Sequence, residues 1–445
     1  LAIPFKIIAP LLSDDFHYFG WWMLICFVLQ AVFSFKLLKA IGVEDIYLQA
    51  LGSCLFVLSY TFLDRIGHIN LCAHWILLAG MYIYFSSKSW NRMVLGQSLT
   101  IIASVLIHPY LVVFAILLAG ANALNMLHLK QIKLLGFVSS VVVFGLVLMA
   151  TWMGLGNHVL ESSKAVAEGF GLFSSNLNTF WSPHTATPLV SPMDLVFREQ
   201  YEGAAYLGLG VLSFVLVLPY FWLRKQLKPV WEKQFIVFLV LVLSLAALAV
   251  THIVTFNHHI LFEVTLPQKV LDKLAILRAS GRYIWLLHYF ILAYYLLLVD
   301  KLRVQKWIKY AIVVFAIAIN VVDFYELIRR NDFVKKYYKP IEPFDESQWN
   351  QIFEGSEQLR MYPSHLTAYQ HKSDQMGFSY LASQYGLSIN TGHLARFDAD
   401  KRRAYGETLK DSIFEHPLSL TQYTFITRQK DLKEFVVLVE ADNHS

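Results

Sequence analysis

The sequence predicts a membrane-embedded all-α domain of about ten transmembrane helices, followed by a small soluble α/β domain. Its composition argues against a soluble enzyme. Of its 445 residues, 56% are hydrophobic and only 16% are charged, whereas globular proteins average roughly 45–50% and 25%. Charged side chains make up 11% of residues 1–323 but 26% of residues 324–445. We therefore predict a polytopic domain over 1–323 and an extracytoplasmic domain over 324–445. No region is basic enough to indicate nucleic-acid binding.

Apolar runs place the predicted spans, because a helix needs about 20 residues to cross a hydrocarbon core of about 30 Å. One long uncharged stretch, between Arg92 and Lys130, is interrupted by His108-Pro109-Tyr110. Proline disfavours helix at the residue before it, so we predict two helices here rather than one long kinked helix. The first is short enough to end below the membrane surface. The ten predicted spans are 18–37, 47–63, 69–87, 94–107, 110–127, 134–155, 203–222, 234–253, 283–299 and 307–323.

The distribution of Lys and Arg favours ten spans and sets their orientation. One set of loops (36–46, 88–93, 128–133, 223–233 and 300–309) carries 14 Lys and Arg, whereas the opposite set carries 8 over a much greater length. We expect the first set in the cytoplasm. Leu1, the long loops 154–202 and 254–282 and the C-terminal domain then lie outside, in a bacterial inner (plasma) membrane. A start on the outside predicts at least one further span before Leu1.

The C-terminal region alternates helical and strand-like patterns, which indicates a small domain with a largely parallel sheet. No phosphate-binding glycine loop, nucleophile elbow or metal-spaced Cys/His cluster occurs in it. The three cysteines of the chain all lie in apolar stretches, so we expect free thiols rather than a disulfide framework. The predicted helices are 346–353, 374–385 and 400–413, and the predicted strands are 358–362, 387–390, 424–427 and 435–440.

Ionisable residues at membrane depth are costly and often functional, and here they collect at the outer ends of the spans. Asp64, Arg65 and His68 lie in one short turn, just before a helix whose N-terminus favours an anion. We expect a phosphate beside Arg65 and His68, with Asp64 as a general base or metal ligand. His74 lies one to two turns further along. The structural alternative is an Asp–Arg pair that caps the turn and a histidine that hydrogen-bonds between helices.

Three further sets lie at the same predicted face. His108 and Tyr110 flank the helix break, which either lines a cavity or is a simple proline kink. Arg278 and Arg282, with Ser280 between them, form either a fork for a phosphate or an anchor for lipid headgroups. The paired acids Asp14 and Asp15 precede the first span and are either a cation-binding or catalytic-base pair or a solvated helix start. In loop 154–202, Glu202 is one of several charged residues whose spacing selects none.

These motifs together resemble a bacterial family of multi-span membrane proteins of unassigned function, which is itself similar to the GT-C class of membrane glycosyltransferases. The resemblance covers most of residues 1–323, and the tail resembles the extracytoplasmic appendage of that family. It is carried by the following runs of sequence: Asp64 to Trp75, His108-Pro109-Tyr110, Tyr201-Glu202-Gly203 with Tyr206-Leu207-Gly208, and Arg278-Ala279-Ser280-Gly281-Arg282.

The resemblance implies an enzyme that moves a sugar from a polyprenyl-phosphate carrier to an envelope glycan or lipid on the outer face. GT-C enzymes use acids in their first outer loops, and Asp64 matches the second such position. The first position is expected before Leu1, outside this chain, unless Asp14 or Asp15 takes its place. A divalent cation, Mg²⁺ or Mn²⁺, is compatible with such a site. Two alternatives remain: a non-catalytic carrier or flippase for a lipid-linked substrate, and a membrane-anchored scaffold for envelope assembly that works through its tail.

Overall fold

The computed structural model describes residues 9–12, 18–156, 170–227, 230–329, 346–354, 356–362, 372–390, 404–405, 407–408 and 423–427. This described part is mostly helical. The chain divides into two compact units, the first comprising residues 1–159 and 167–331 and the second residues 160–166 and 332–445.

The first unit is built from helices joined by short loops at one end and by longer loops at the other. The described helices are α1 (Phe19–Ile41), α2 (Ile46–Val57), α3 (Tyr60–Leu63), α4 (Trp75–Ser86), α5 (Trp90–Ile107), α6 (Pro109–His128), α7 (Leu134–Gly154), α8 (Leu209–Leu223), α9 (Gln234–Val250), α10 (Gln268–Leu274), α11 (Trp285–Asp300), α12 (Lys306–Asp323) and α13 (Tyr325–Ile328).

Six helical segments of the described residues are long and apolar enough to cross a membrane. They are Phe19–Ile41, Ile69–Ser86, Trp90–Ile107, Pro109–His128, Leu134–Gly154 and Ser280–Asp300. Helices α2, α8 and α9 are apolar but shorter. Of the six segments, Leu134–Gly154 (α7) is the least buried, with side chains such as Leu135 on its surface, as expected for a helix that faces lipid. The protein therefore has the features of a multi-pass membrane protein.

Four predicted spans differ in detail from the helices observed. The segment 47–63 breaks after Val57, and 69–87 begins with a 3-10 turn, Ile69–Cys72, before α4. The segment 203–222 starts as extended chain, and α8 begins only at Leu209 because Gly208 has a φ of +83°. Helix α9 ends at Val250 rather than 253.

The helix break at Pro109 is present, but α5 is longer than predicted. Pro109 starts α6, where its missing N–H is not needed, and His108 caps this helix by accepting a hydrogen bond from Tyr110 N at 3.2 Å. Since α5 begins at Trp90 and has 18 residues, it rises about 27 Å. The prediction that this helix ends below the membrane surface assumed a length of 14 residues. The observed length of 18 residues does not support it.

The main core lies where α1, α2, α4 and α11 pack together. Large aromatic side chains fill it, among them Phe56, Tyr60, Trp285 and Tyr289, all fully buried. A second, smaller core lies between α5, α6 and α7. The three cysteines are free, with Cys26 and Cys72 buried and Cys54 exposed.

A β-hairpin follows α9, at the start of the loop predicted over 254–282. Strand β1 (Ile253–Phe256) pairs antiparallel with β2 (His259–Glu263), and the register shifts between Val254 and Thr255. Asn257, in the turn, has a φ of +52°. Amide hydrogen bonds hold the turn against the loop that precedes α8: Asn176 Nδ2 donates to Asn257 O at 2.8 Å and Asn178 Nδ2 to Asn257 Oδ1 at 2.9 Å.

The described residues of the second unit contain two helices and a three-stranded parallel sheet. The helices are α14 (Glu346–Phe353) and α15 (Lys372–Gln384). Strand β3 (Gln358–Tyr362) lies between β4 (Ser388–Ile389) and β5 (Tyr423–Thr427), parallel to both. Phe353, Leu359 and Leu381 form a small apolar core. The predicted strand 435–440 and most of the predicted helix 400–413 lie outside the described residues.

Candidate functional site

The predicted polar residues of the first unit gather at one end of the helical bundle. Four chain segments meet there: the turn after α3, the α5–α6 junction, the loop before α8 and the segment before α11. We call this the site end. The loops richest in Lys and Arg join helices at the opposite end.

Glu202 lies at the centre of the site end and binds two arginines. Its Oε2 accepts hydrogen bonds from Arg65 Nη1 at 2.8 Å and from Arg282 Nε at 2.9 Å, and its Oε1 accepts one from Arg282 Nη2 at 2.8 Å. The Arg282 contact is thus a two-pronged guanidinium–carboxylate pair, the strongest common form of ion pair. All three side chains are at least 90% buried. Two of the three arginines singled out from the sequence, Arg65 and Arg282, therefore share one carboxylate.

Glycines allow the segments that carry these side chains to approach closely. A β-carbon on Gly281 would lie 2.8 Å from the backbone of Gly203 and from Phe173 O, and one on Gly203 would lie 2.5 Å from Ser175 Cα. Gly281 N donates to Phe173 O at 2.8 Å. Because the neighbours are backbone atoms, they have little freedom to move aside. The glycines beside Glu202 and Arg282 thus set the depth at which the ion pairs form.

The two arginines hold Glu202 in its charged form. Burial alone would raise the pKa of this carboxyl, but the hydrogen bonds from Arg282 and the charges of Arg65 and Arg282 outweigh it and lower the pKa to about 2. Arg65 also lies over the Trp285 ring, 5.4 Å from its centre, and Arg282 lies 4.5 Å from the centre of the Tyr110 ring. The guanidinium groups are therefore held by charge and by cation–π contacts.

Asp64 lies beside this cluster and completes its charge balance. Its Oδ2 is 3.1 Å from Arg65 Nη2, and its Oδ1 is 3.6 Å from His184 Nε2. His184 Nδ1 in turn lies 2.8 Å from the Tyr60 hydroxyl. Two acids and two arginines thus give a formal charge of zero. The chain Tyr60–His184–Asp64 orients the carboxylate and provides a histidine next to it, an arrangement suited to proton transfer.

His68 and His108 lie at the accessible edge of the site end. Their rings are 5.8 Å apart, and the His108 ring stacks with Tyr110 at 5.7 Å. The Tyr110 hydroxyl accepts a hydrogen bond from Ala279 N at 2.8 Å. Partial burial of the ring and the charge of Arg282 lower the pKa of His68, which favours the uncharged imidazole. His68 is exposed as a residue and can donate a hydrogen bond to an approaching group or accept one from it.

His74 is fully buried beneath the ion pairs, in a polar cluster inside the helical core. Its Nδ1 lies 2.7 Å from the Tyr289 hydroxyl, which also accepts a hydrogen bond from Gln30 Nε2 at 3.1 Å. The His74 ring contacts Trp285, which lies beneath Arg65. His74 thus forms a hydrogen bond to a neighbouring helix, which is the structural alternative given above for this residue. Its burial separates it from any substrate at the site end.

The remaining predicted residues divide into three groups. Arg278 is exposed and lies 4.6 Å from the centre of the Phe173 ring, so it does not form a fork with the buried Arg282. Ser280 is buried in the same turn. Asp14 and Asp15 lie outside the described residues. The turn Asp64 to His68, the His108–Tyr110 break and Arg282 are thus brought together, whereas Arg278 faces away from the buried ion pairs.

The described residues of the site end do not fit a divalent cation. Among them no group of three or more His, Cys, Asp and Glu side chains is arranged to hold a metal ion. Both oxygens of Glu202 contact arginine, and Asp64 contacts Arg65 and lies near His184. A cation would have to compete with these positive partners. The Mg²⁺ or Mn²⁺ that the resemblance allows therefore has no role in the reaction proposed below.

The sequence alone did not predict Glu202, His184 or Asp323 as residues of the site. Asp323 ends α12 and is fully buried, where it accepts hydrogen bonds from Thr187 Oγ1 at 2.6 Å, Tyr206 Oη at 2.7 Å and Leu209 N at 3.0 Å. It ties the loop before α8 to the last long helix. The one available signal was the Tyr201-Glu202-Gly203 motif, whose glutamate was noted but given no role.

Comparison with known families identifies most of the chain. Residues 1–325 match the model of a domain of unknown function, DUF6311, and residues 348–444 match the DUF6311 C-terminal domain. Searches of curated proteins and of solved structures return no match. The match over residues 1–325 includes every residue of the site end described above.

Proposed function

We propose that this chain, which belongs to the DUF6311 family, is a GT-C-like membrane glycosyltransferase that moves a sugar from a polyprenyl-phosphate carrier to an envelope glycan or lipid. The observation that carries the proposal is the convergence of Asp64, Arg65, His68, His108 and Arg282 from separate segments onto one end of an apolar helical bundle. The GT-C resemblance supplies the reaction type.

The proposed topology has ten spans with the site end on the outer face of a bacterial inner membrane. The concentration of Lys and Arg in the loops at the opposite end supports this orientation. In the same topology the C-terminal unit is an extracytoplasmic α/β domain. The three parallel strands among its described residues support the α/β assignment.

In the proposed reaction, the Asp64 carboxylate takes the proton from an acceptor hydroxyl as its oxygen attacks the anomeric carbon of the sugar. The bond between that carbon and the phosphate oxygen breaks, and the polyprenyl phosphate leaves with the bonding electrons. His184, 3.6 Å from Asp64, offers a next step for the proton. A positioned general base of this kind contributes about 10²–10⁴-fold in rate.

The ion pairs change the roles expected of the arginines. Because Arg65 and Arg282 already share Glu202 as their partner, we propose that these ion pairs position Asp64 and that the arginines do not bind the carrier phosphate. Direct contact with the carrier phosphate falls instead to the accessible groups His68 and His108. Loss of an accessible group should mainly raise KM, and loss of Asp64 should mainly lower kcat.

The test is a transfer assay with purified protein in lipid nanodiscs, using polyprenyl-phosphate sugars as donors and envelope glycan and lipid fractions as acceptors. We expect release of polyprenyl phosphate, and Asp64→Asn should reduce its rate at least about 100-fold. The matched control is Asp194→Asn, at an exposed acid of the loop before α8, which should leave the rate unchanged. Saturable donor binding without release would instead indicate a carrier, and the transferase proposal would be wrong.

A further inference from the structure

The hairpin β1–β2 and the short helix α10 form an exposed apolar surface at the site end, and no step of the proposed reaction uses it. Every residue of β2 is exposed, including Ile260, Leu261 and Phe262. Val264 and Val270, which follow, are also exposed. Such a concentration of large apolar side chains on one short element indicates a contact surface.

The pairing of the strands points these side chains to both faces of the hairpin. Val254 and Thr255 are consecutive on β1, and consecutive residues of a strand point to opposite faces. Phe262 is paired with Val254, and Ile260 with Thr255, because β2 has one extra residue at this point. Cross-strand partners share a face. Ile260 and Phe262 therefore expose apolar surface on opposite faces, whereas a strand covered by one protein partner needs only one apolar face.

One of these faces continues into the apolar surface of α9. Val254 lines a groove of about 340 Å³ together with Ala246, Ala247 and Val250 from the last turn of this helix. Further along α9, Val240 and Leu243 are exposed, as expected for side chains that contact lipid. The hairpin thus adjoins the lipid-contacting surface of an apolar helix through the apolar side of this groove.

Helix α10 has the composition of an element that lies at a membrane surface. At 100° per residue, Val270, Leu271 and Leu274 fall on one side of the helix. Lys269 and Lys273 fall on the other side with Asp272, and all three charged residues are exposed. Amphipathic helices with Lys on the polar side lie flat in the headgroup region, with the apolar side about 5–10 Å deep at the boundary of the acyl chains.

From these observations we propose that residues 253–274 form an interfacial element, in which the hairpin and the apolar side of α10 insert into the lipid leaflet on the site-end side of the membrane. Lys269 and Lys273 then face lipid phosphates. The proposal does not depend on transferase activity, because it concerns only where this segment lies. It places a lipid-contacting element next in the chain to Arg278 and Arg282, and so connects the leaflet to the site.

The test uses environment-sensitive fluorescent probes on single cysteines in the full chain, with Cys54→Ser as the background because Cys26 and Cys72 are buried. The probe is attached at Ile260→Cys or at Phe262→Cys, and the protein is placed in nanodiscs of phosphatidylethanolamine and phosphatidylglycerol. Val240→Cys serves as the lipid-facing reference, and Asp194→Cys as the water-facing reference. The background protein without an added cysteine measures labelling of the buried thiols.

We expect both hairpin probes to emit at shorter wavelength than the Asp194 probe. Lipids with a doxyl group near the headgroup end of the acyl chain should quench both probes, and aqueous iodide should not. Quenching by iodide as strong as at Asp194 would show that the hairpin faces water, and the proposal would be wrong. Protection from both quenchers would reveal a protein cover, such as a second copy or the C-terminal unit. Lipid contact at only one position would equally overturn the proposal.

Discussion

Replacement of Glu202 by glutamine should destabilise the protein by several kcal/mol, since it removes the shared counter-ion of two buried arginines. Glutamine keeps the size of the side chain and still accepts hydrogen bonds at its carbonyl oxygen, but its amide nitrogen only donates and the side chain carries no charge. Arg65 would keep Asp64 as a partner at 3.1 Å, whereas among the described residues Arg282 forms its ion pair with Glu202 alone. We therefore expect most of the destabilisation to come from the buried charge of Arg282.

Two independent estimates give the size of this effect. Removal of one partner from a buried ion pair costs about 3–5 kcal/mol, because the other charge stays buried without compensation. The pKa of Glu202 is lowered from its usual 4.5 to about 2, which corresponds to about 3 kcal/mol of stabilisation at neutral pH. Since the pKa is lowered on folding, this stabilisation is present above pH 4.5 and is lost as the pH falls towards 2.

The assay is thermal unfolding of the purified protein in detergent. The quantity measured is the fraction of protein that stays monodisperse after heating to each temperature. Glu202→Gln should lower the midpoint temperature, and Glu199→Gln, three residues earlier in the same turn, should not. The double variant with Arg282→Gln should be less destabilised than the sum of the two single variants, because it removes both members of the pair. Equal stability of Glu202→Gln and Glu199→Gln would refute the role given to the ion pairs.

Two further substitutions test how the site end is assembled. Gly281→Ala should lower the midpoint temperature, because the new β-carbon would lie 2.8 Å from the Gly203 backbone, whereas Gly120→Ala, where nothing lies within 4 Å, should not; equal effects would contradict the close approach. Asp323→Asn should cost about 1.5–3 kcal/mol, the range for a hydrogen bond to a charged group, since its carboxylate accepts three hydrogen bonds. An unchanged midpoint temperature for this variant would show that the carboxylate does not anchor the loop before α8.

The positions of the long helices could be predicted from the sequence because they depend on local composition. Apolar runs of sufficient length identify α1, α6 and α7 without knowledge of any contact. The helix break at Pro109 was predictable for the same reason, since a proline restricts the residue before it and starts a helix well. Local signals also sufficed for β3 and α14 of the second unit, whose bounds match the prediction.

The partners of the charged residues could not be predicted, because they depend on contacts between distant segments. Glu202 lies 137 residues from Arg65 and 80 from Arg282, and its only local signal, the Tyr201-Glu202-Gly203 motif, does not indicate a partner. The hairpin was missed because its residues are apolar on both faces and show no alternation. The start of α8 was predicted too early because the backbone before Leu209 is not helical, and Gly208 has a φ of +83°.

The most direct measurement of the central claim is the release of polyprenyl phosphate from a polyprenyl-phosphate sugar by the protein and by Asp64→Asn, compared at equal donor occupancy. The account predicts release by the unaltered protein, a loss of at least about 100-fold in kcat for Asp64→Asn, and unchanged donor binding by that variant. Release at the same rate by both proteins would contradict the role of Asp64. No release by either protein, with every donor and acceptor offered, would contradict the transferase function itself.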